Sequence, residues 1–236
     1  MLSKSQIKLI TRLKQKKYRQ QEGLFIAEGG KVIKEFLNST FKLVDLFTTE
    51  TFNVENESII SEADLKKISC LTTPNTALAI FKIPNAKALK NEGLILALDD
   101  IRDPGNLGTI IRLCDWFGVK QLVCSLKTVD CYNPKVVQAT MGSLTRVKIV
   151  YTDLSAYLKE VDVPVFGAFM DGKNVYQTNL PKAGVLVLGN EANGISSIIE
   201  ACVTDKISIP RFGDLQATES LNVATAGAIL LSEFRR

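Results

Sequence analysis

Apolar residues fall at Ile7, Leu9, Ile10 and Leu13 within residues 3–15, a spacing that predicts an amphipathic helix. Leu24 to Ala27 predicts a short strand, and the stretch from about Gly30 to Asn38 a helix. KLVDLFT, ESIIS and TALAIFKI predict three further strands. Between the last two, EADLKKIS predicts a helix opened by Ser61 as N-cap, with Asp64 three positions on, close to a capping box. Strands alternating with helices in this way predict a small α/β domain over residues 1–82. Residues 83–93 hold Pro84, two Asn and Gly93 with little apolar content, and predict a linker.

From Leu94 onward the pattern is cleaner. LILALD predicts a buried strand, DPGN breaks it, and Leu107 to Phe117 predicts a helix with Asn106 as N-cap and Gly118 as its stop. QLVCS, RVKIVY, VPVFGAF, GVLVLG and DKISIP predict further strands, NPKVVQATMGSL a helix, and ESLNVATAGAILLSEFRR a C-terminal helix. Apolar strands in this βαβ rhythm predict a parallel sheet covered on both faces, spanning residues 94–236.

Composition then narrows the chemistry. The chain has 236 residues, long enough for one large or two modest domains with a proper core. It contains no histidine, which excludes Ser-His-Asp and Cys-His relays, an HExxH zinc site and an imidazole base. The five cysteines form no CxxC pair and read as reduced thiols in a cytoplasmic protein. The N-terminus carries no secretory signal, and no apolar stretch reaches membrane-spanning length. Residues 1–23 hold seven Lys and Arg against Glu22 alone, a surplus of six, although the whole chain carries only +4. A basic arm on a near-neutral body points to an anionic partner such as nucleic acid; a solvated helix face is the plainer alternative.

Ligands of open α/β sheets bind at the carboxyl ends of strands. Three such ends are polar and glycine-rich: residues 99–112, 189–196 and 209–222. None is a P-loop or a GxGxxG turn, which disfavours nucleotide hydrolysis and dinucleotide binding. Each conspicuous residue also has a structural explanation. Asn106 suits an N-cap, Arg112 an exposed pair with Asp115, Glu191 a solvated turn, and Ser220 and Asn222 the cap of the last helix.

Taken together, N106-L-G-T-I-I-R112, L188-G-N-E-A-N-G-I195 and I207-S-I-P210 with S220-L-N-V-A-T-A-G227 resemble the three motifs of the SpoU (TrmH-like) family of RNA ribose 2′-O-methyltransferases, in the SPOUT superfamily. Residues 1–82, with F25-I-A-E28-G29, are similar to the small ribosomal-protein-like substrate domain that precedes many SpoU domains. The resemblance implies a parallel sheet with a C-terminal trefoil knot, a homodimer with its active site near the interface, and S-adenosyl-L-methionine as cofactor. It implies methyl transfer to a ribose 2′-hydroxyl in structured RNA, ribosomal RNA being favoured over transfer RNA, with no metal and no membrane. By the same resemblance Arg112 contacts an RNA phosphate and helps activate the hydroxyl. Asn106, Glu191, Ser220 and Asn222 orient it, the ribose and the cofactor, while Leu188, Gly189, Ile209 and Leu221 line the cofactor pocket. Two departures stand out. Arg211-Phe212 follow Ile209-Pro210 where the family commonly has Met, and the 209–220 loop is long, with Asp214, Gln216 and Thr218 open to a hydrogen-bonding role. A non-catalytic RNA-binding or ribosome-assembly module and a small-molecule enzyme on an ordinary doubly wound sheet are the competing readings.

Overall fold

The computed structural model describes residues 2–85, 89–90, 92–212 and 220–236. Asp214, Gln216 and Thr218 therefore lie outside the described residues, as do four positions of the 83–93 segment. The chain forms two compact units, one of residues 1–85 with 130–145, the other of residues 86–129 with 146–236. A simple division at residues 83–93 thus misses one feature: residues 130–145 fold with the N-terminal unit.

The first unit contains α1 (Lys4–Leu13), α2 (Lys16–Glu22), β1 (Leu24–Glu28), α3 (Gly30–Leu37), β2 (Leu43–Thr48), β3 (Glu57–Ile59), α4 (Glu62–Ile68) and β4 (Ala77–Lys82). Its strands lie in the order β1-β4-β2-β3, β4 running antiparallel to both neighbours and β2 parallel to β3. Ser61 caps α4 as its sequence predicts, accepting the Asp64 N–H at 3.1 Å. The core holds Phe25, Phe36 and Phe81, and Tyr132 from the 130–145 segment stands 4.8 Å from the Phe25 ring. Each buried aromatic of this size contributes about 1.5–3 kcal/mol through removal of its surface from water.

The basic N-terminal segment is not a free arm but the two helices α1 and α2 of this unit. Arg19 is only 1% exposed. Its Nε and Nη2 donate to Asp130 Oδ2 at 2.9 and 2.6 Å, and its Nη1 donates to the Leu13 and Lys14 carbonyls at 2.9 and 3.0 Å. Arg12 lies 4.2 Å from the Tyr18 ring centroid, and Lys14 donates to the Ser69 carbonyl. Lys16 and Lys17 remain exposed.

The second unit contains β5 (Leu94–Leu98), α5 (Pro104–Trp116), β6 (Gln121–Ser125), β7 (Lys148–Thr152), α7 (Leu154–Glu160), β8 (Val165–Asn174), β9 (Gly184–Leu188), α8 (Ser197–Glu200), β10 (Asp205–Ser208) and α9 (Val223–Arg235), while α6 (Pro134–Thr140) belongs to the first unit. Its six strands are parallel throughout, in the order β10-β8-β9-β5-β6-β7. The unbroken apolar runs of β5 and β9 suit central strands buried on both faces, and every residue of both is buried. Their carboxyl ends, with that of β10, carry the polar loops. β8 runs beyond VPVFGAF to Asn174, and its pairing with β10 jumps from Gly167 to Lys173. Residues 168–172 are thereby left out of that ladder.

Two helix starts differ from the sequence expectation. The N-cap of α5 is Asp103 rather than Asn106: its carboxylate accepts the Asn106 N–H at 2.8 Å, and Pro104 occupies the first helical position. An Asp-Pro pair provides both the acceptor and the preset φ, so it starts the helix earlier. The last helix begins at Val223 instead of Glu219, because Asn222 caps it through the N–H groups of Ala224 and Thr225. Gly118 stops α5 with φ +66, as expected.

Candidate active site

Moving the α5 cap to Asp103 leaves the Asn106 side chain available. Its Nδ2 donates to Glu191 Oε1 at 3.0 Å, while its Oδ1 accepts from Asn222 Nδ2 at 2.9 Å. The ionised carboxylate is an acceptor only, so it fixes the orientation of the Asn106 amide, which in turn fixes that of Asn222. Asn222 caps α9 through Oδ1, as considered for it, and its Nδ2 joins the network through Asn106 rather than through Arg112. Glu191 also accepts the Asp103 and Arg102 N–H groups at 3.1 and 3.2 Å. Three residues chosen from three separate loops thus form one hydrogen-bonded row, and Glu191 is no solvated turn residue. Burial pushes the Glu191 carboxyl up, but the Asn106 amide and the N–H groups of Glu191, Asp103 and Arg102 together outweigh it. They hold the group below the usual glutamate range.

The loop after β9 is shaped by its own backbone. Asn190 and Gly194 pair with each other, and the Asn190 side chain accepts from Ala192 and Asn193 N–H and donates to the Asp100 carbonyl at 2.6 Å. A Cβ on Gly189 would overlap the backbone of Gly194 and Ile195, so this turn admits only glycine.

A cavity of about 900 Å³ opens beside this loop, within the range of small-molecule sites. All four residues expected to line a cofactor pocket, Leu188, Gly189, Ile209 and Leu221, line it, together with Glu191 and Ser220. Asn106, Asn222 and Arg112 are not among its lining residues. The sequence reading missed Phe169 and Met170, which line the cavity from the unpaired part of β8. The rule that flagged the other loops, polar chemistry at the carboxyl end of a parallel strand, applies to this strand as well. An aliphatic wall from Leu188, Ile209, Leu221 and Leu230, with Asn190, Glu191, Asn193, Arg211 and Ser220 among the polar lining residues, suits a molecule that combines a flat aromatic base with charged groups. S-adenosylmethionine has that character.

Arg112 stands apart from the row. It is exposed on α5 and has no hydrogen-bond or ion-pair partner among the described residues. The pair with Asp115 considered for it is not formed, since Asp115 accepts Arg146 Nε at 2.8 Å. Trp116, one helical turn further on, is 84% exposed. The leucines of the AGAILL run face inward, Leu230 and Leu231 being buried as α9 packs on α5. Cys114, Cys124 and Cys131 are buried, and burial pushes the Cys70 thiol up to about 11, so no reactive thiolate is offered there. Among the described residues no cluster of acidic and cysteine side chains is suited to a metal, and no helix is long and apolar enough to cross a membrane.

Comparison with known proteins agrees with this geometry. Residues 93–232 match the SpoU rRNA Methylase family, and residues 4–79 match the MRM3-like substrate binding domain. The chain is 28% identical over 236 residues to the 23S rRNA (guanosine(2553)-2′-O)-methyltransferase RlmP of Bacillus subtilis, covering 95% of this chain and 93% of that one. It is 33% identical over 153 residues to the 23S rRNA (guanosine-2′-O-)-methyltransferase RlmB of Neisseria meningitidis, covering 63% and 60%. Among solved structures, a putative RNA methyltransferase of the TrmH family from Porphyromonas gingivalis superposes with a TM-score of 0.91 at 40% identity, covering 100% of this chain and 99% of that one. An AdoMet-bound rRNA methyltransferase from Sinorhizobium meliloti superposes with a TM-score of 0.88 at 28% identity, covering 100% and 97%. The chain belongs to the SpoU rRNA methylase family.

Proposed function

We propose that the protein transfers a methyl group from S-adenosylmethionine to a ribose 2′-hydroxyl of ribosomal RNA. The observation that carries this reading is the Asn222–Asn106–Glu191 row beside the cavity, in a chain of this family. The sulfonium of S-adenosylmethionine supplies an already activated methyl group, so no metal is required. Leu188, Ile209 and Leu221 bind the donor through apolar surface, and Ser220 and Glu191 supply polar groups at the same cavity. The row holds its members in one arrangement before substrate arrives, which lowers the entropic cost of aligning donor and acceptor.

Arg112 takes an RNA phosphate next to the target ribose. Its guanidinium stays protonated, so it favours departure of the hydroxyl proton electrostatically rather than acting as a free base. Its separation from the row, and the exposed Trp116 on the same helix, support a homodimer in which α5 approaches the partner's site. A trefoil knot in the C-terminal segment and a cytoplasmic location belong to the same proposal. The resemblance of the first unit to a substrate-binding domain of an rRNA enzyme supports ribosomal over transfer RNA.

Mapping of 2′-O-methyl groups in total RNA with and without the gene tests the function. One ribosomal position is expected to lose its methyl group, and an unchanged map overturns the reading. Light scattering is expected to give twice the 26.0 kDa chain mass.

A further inference from the structure

Asp100 adopts φ +58, a left-handed conformation that residues with a Cβ rarely take. Two side chains hold it there: Ser125 Oγ accepts its N–H at 2.8 Å, and Asn190 Nδ2 donates to its carbonyl at 2.6 Å. In this pose its carboxylate accepts two bonds from Arg102, from Nε at 3.2 Å and from Nη2 at 2.9 Å. The Arg102 N–H donates to Glu191, so the same residue is tied by its backbone to the row. Yet the Arg102 side chain is 69% exposed, and Nη1 has no partner among the described residues. A plain surface ion pair needs neither an unusual backbone nor these supports. The surroundings explain what does. Asp99, Asp100, Asp103 and Glu191 are gathered at this end of the sheet, a distribution that repels RNA. Arg102 is the cation braced among them.

Resting on the reading of this site as an RNA methyltransferase, we infer that Arg102 is an RNA-positioning residue, its Asp100-braced guanidinium taking a backbone phosphate beside the target ribose through the donors left free. A planar guanidinium held along one edge presents its other edge in a fixed direction, the geometry suited to a phosphate.

The test uses the full-length protein and an unmethylated 23S rRNA transcript. Arg102→Ala is expected to weaken RNA affinity about tenfold and to make the log–log salt dependence shallower by about one unit, as for one lost phosphate contact. KM for RNA rises accordingly, while kcat and S-adenosylmethionine affinity stay near wild type. Arg102→Lys retains the charge, restoring the salt slope but only part of the affinity. An unchanged affinity and slope in Arg102→Ala overturns the inference. Failure of the wild-type protein to methylate a transcript that it binds overturns the functional reading instead, and the salt slopes of wild type and Arg102→Ala still decide the role of Arg102.

Discussion

The first unit buries Arg19 and engages its guanidinium with Asp130, Leu13 and Lys14, whereas the second leaves Arg112 exposed on α5 with no partner among the described residues. Both are arginines, and charge alone would assign both to RNA. Burial separates them. Removing an ionised guanidinium from water costs several kcal/mol, and only a closely paired carboxylate with further acceptors offsets this. Such an arginine acts on stability. An exposed arginine with unengaged donors contributes little to stability and remains available to an anion.

The largest effect expected from this contrast is in the first unit. Asp130→Ala leaves the Arg19 charge buried without its carboxylate and is expected to destabilise the protein by about 3–5 kcal/mol, measured by denaturant unfolding. A loss below about 1 kcal/mol, the value of a surface pair, would break the comparison.

Next is Arg112→Ala, expected to slow single-turnover methylation about a hundredfold or more, on the order of 3 kcal/mol of barrier, with unfolding and S-adenosylmethionine binding unchanged. Arg112→Lys should also be slow, because an ammonium lacks the planar fork. Near-wild-type turnover by Arg112→Ala would remove it from the mechanism.

A third measurement concerns pH. The Glu191 carboxyl is held below its ordinary value of 4.5 in the folded protein, so it binds protons less readily there than in the unfolded chain. Its stabilisation is therefore fully present above that ordinary value and is lost as pH falls through the lower folded value. The stability difference between wild type and Glu191→Gln should be flat near neutrality and shrink only in acid. A difference that shrinks already between pH 7 and pH 5 would contradict this.

The smallest effect is expected from Asp115→Ala. Asp115 pairs with Arg146 near the surface, so the substitution should cost less than about 1 kcal/mol and leave turnover unaltered. Were it to mimic Arg112→Ala, Arg112 and Arg146 would have to be reassigned.

Local order was legible in the residues alone. Ser61 capping α4, Gly118 ending α5, the apolar runs of β5 and β9 and the period of α1 all depend on neighbours a few positions away. The positions of the polar loops 189–196 and 209–222 were legible in the same way, because strand ends are read from strands. Family resemblance, resting on three motifs in order, supplied the role of the loops that periodicity could not.

Tertiary structure decided what each of these side chains touches. Asn106 is equally suited to a cap and to a network, and the choice turned on Asp103 taking the cap and on Glu191 arriving from 85 residues away. Asn222 reaches Asn106 across 116 residues, and Arg19 meets Asp130 across 111. No local pattern encodes such pairs, because the free energy that holds them comes from burial and from loops closed elsewhere in the fold. The sequence by itself determined the main strands, most of the longer helices and the positions of the three loops; which arginine is interior and which is exposed was determined only when the chain closed around Arg19 and left Arg112 exposed on α5.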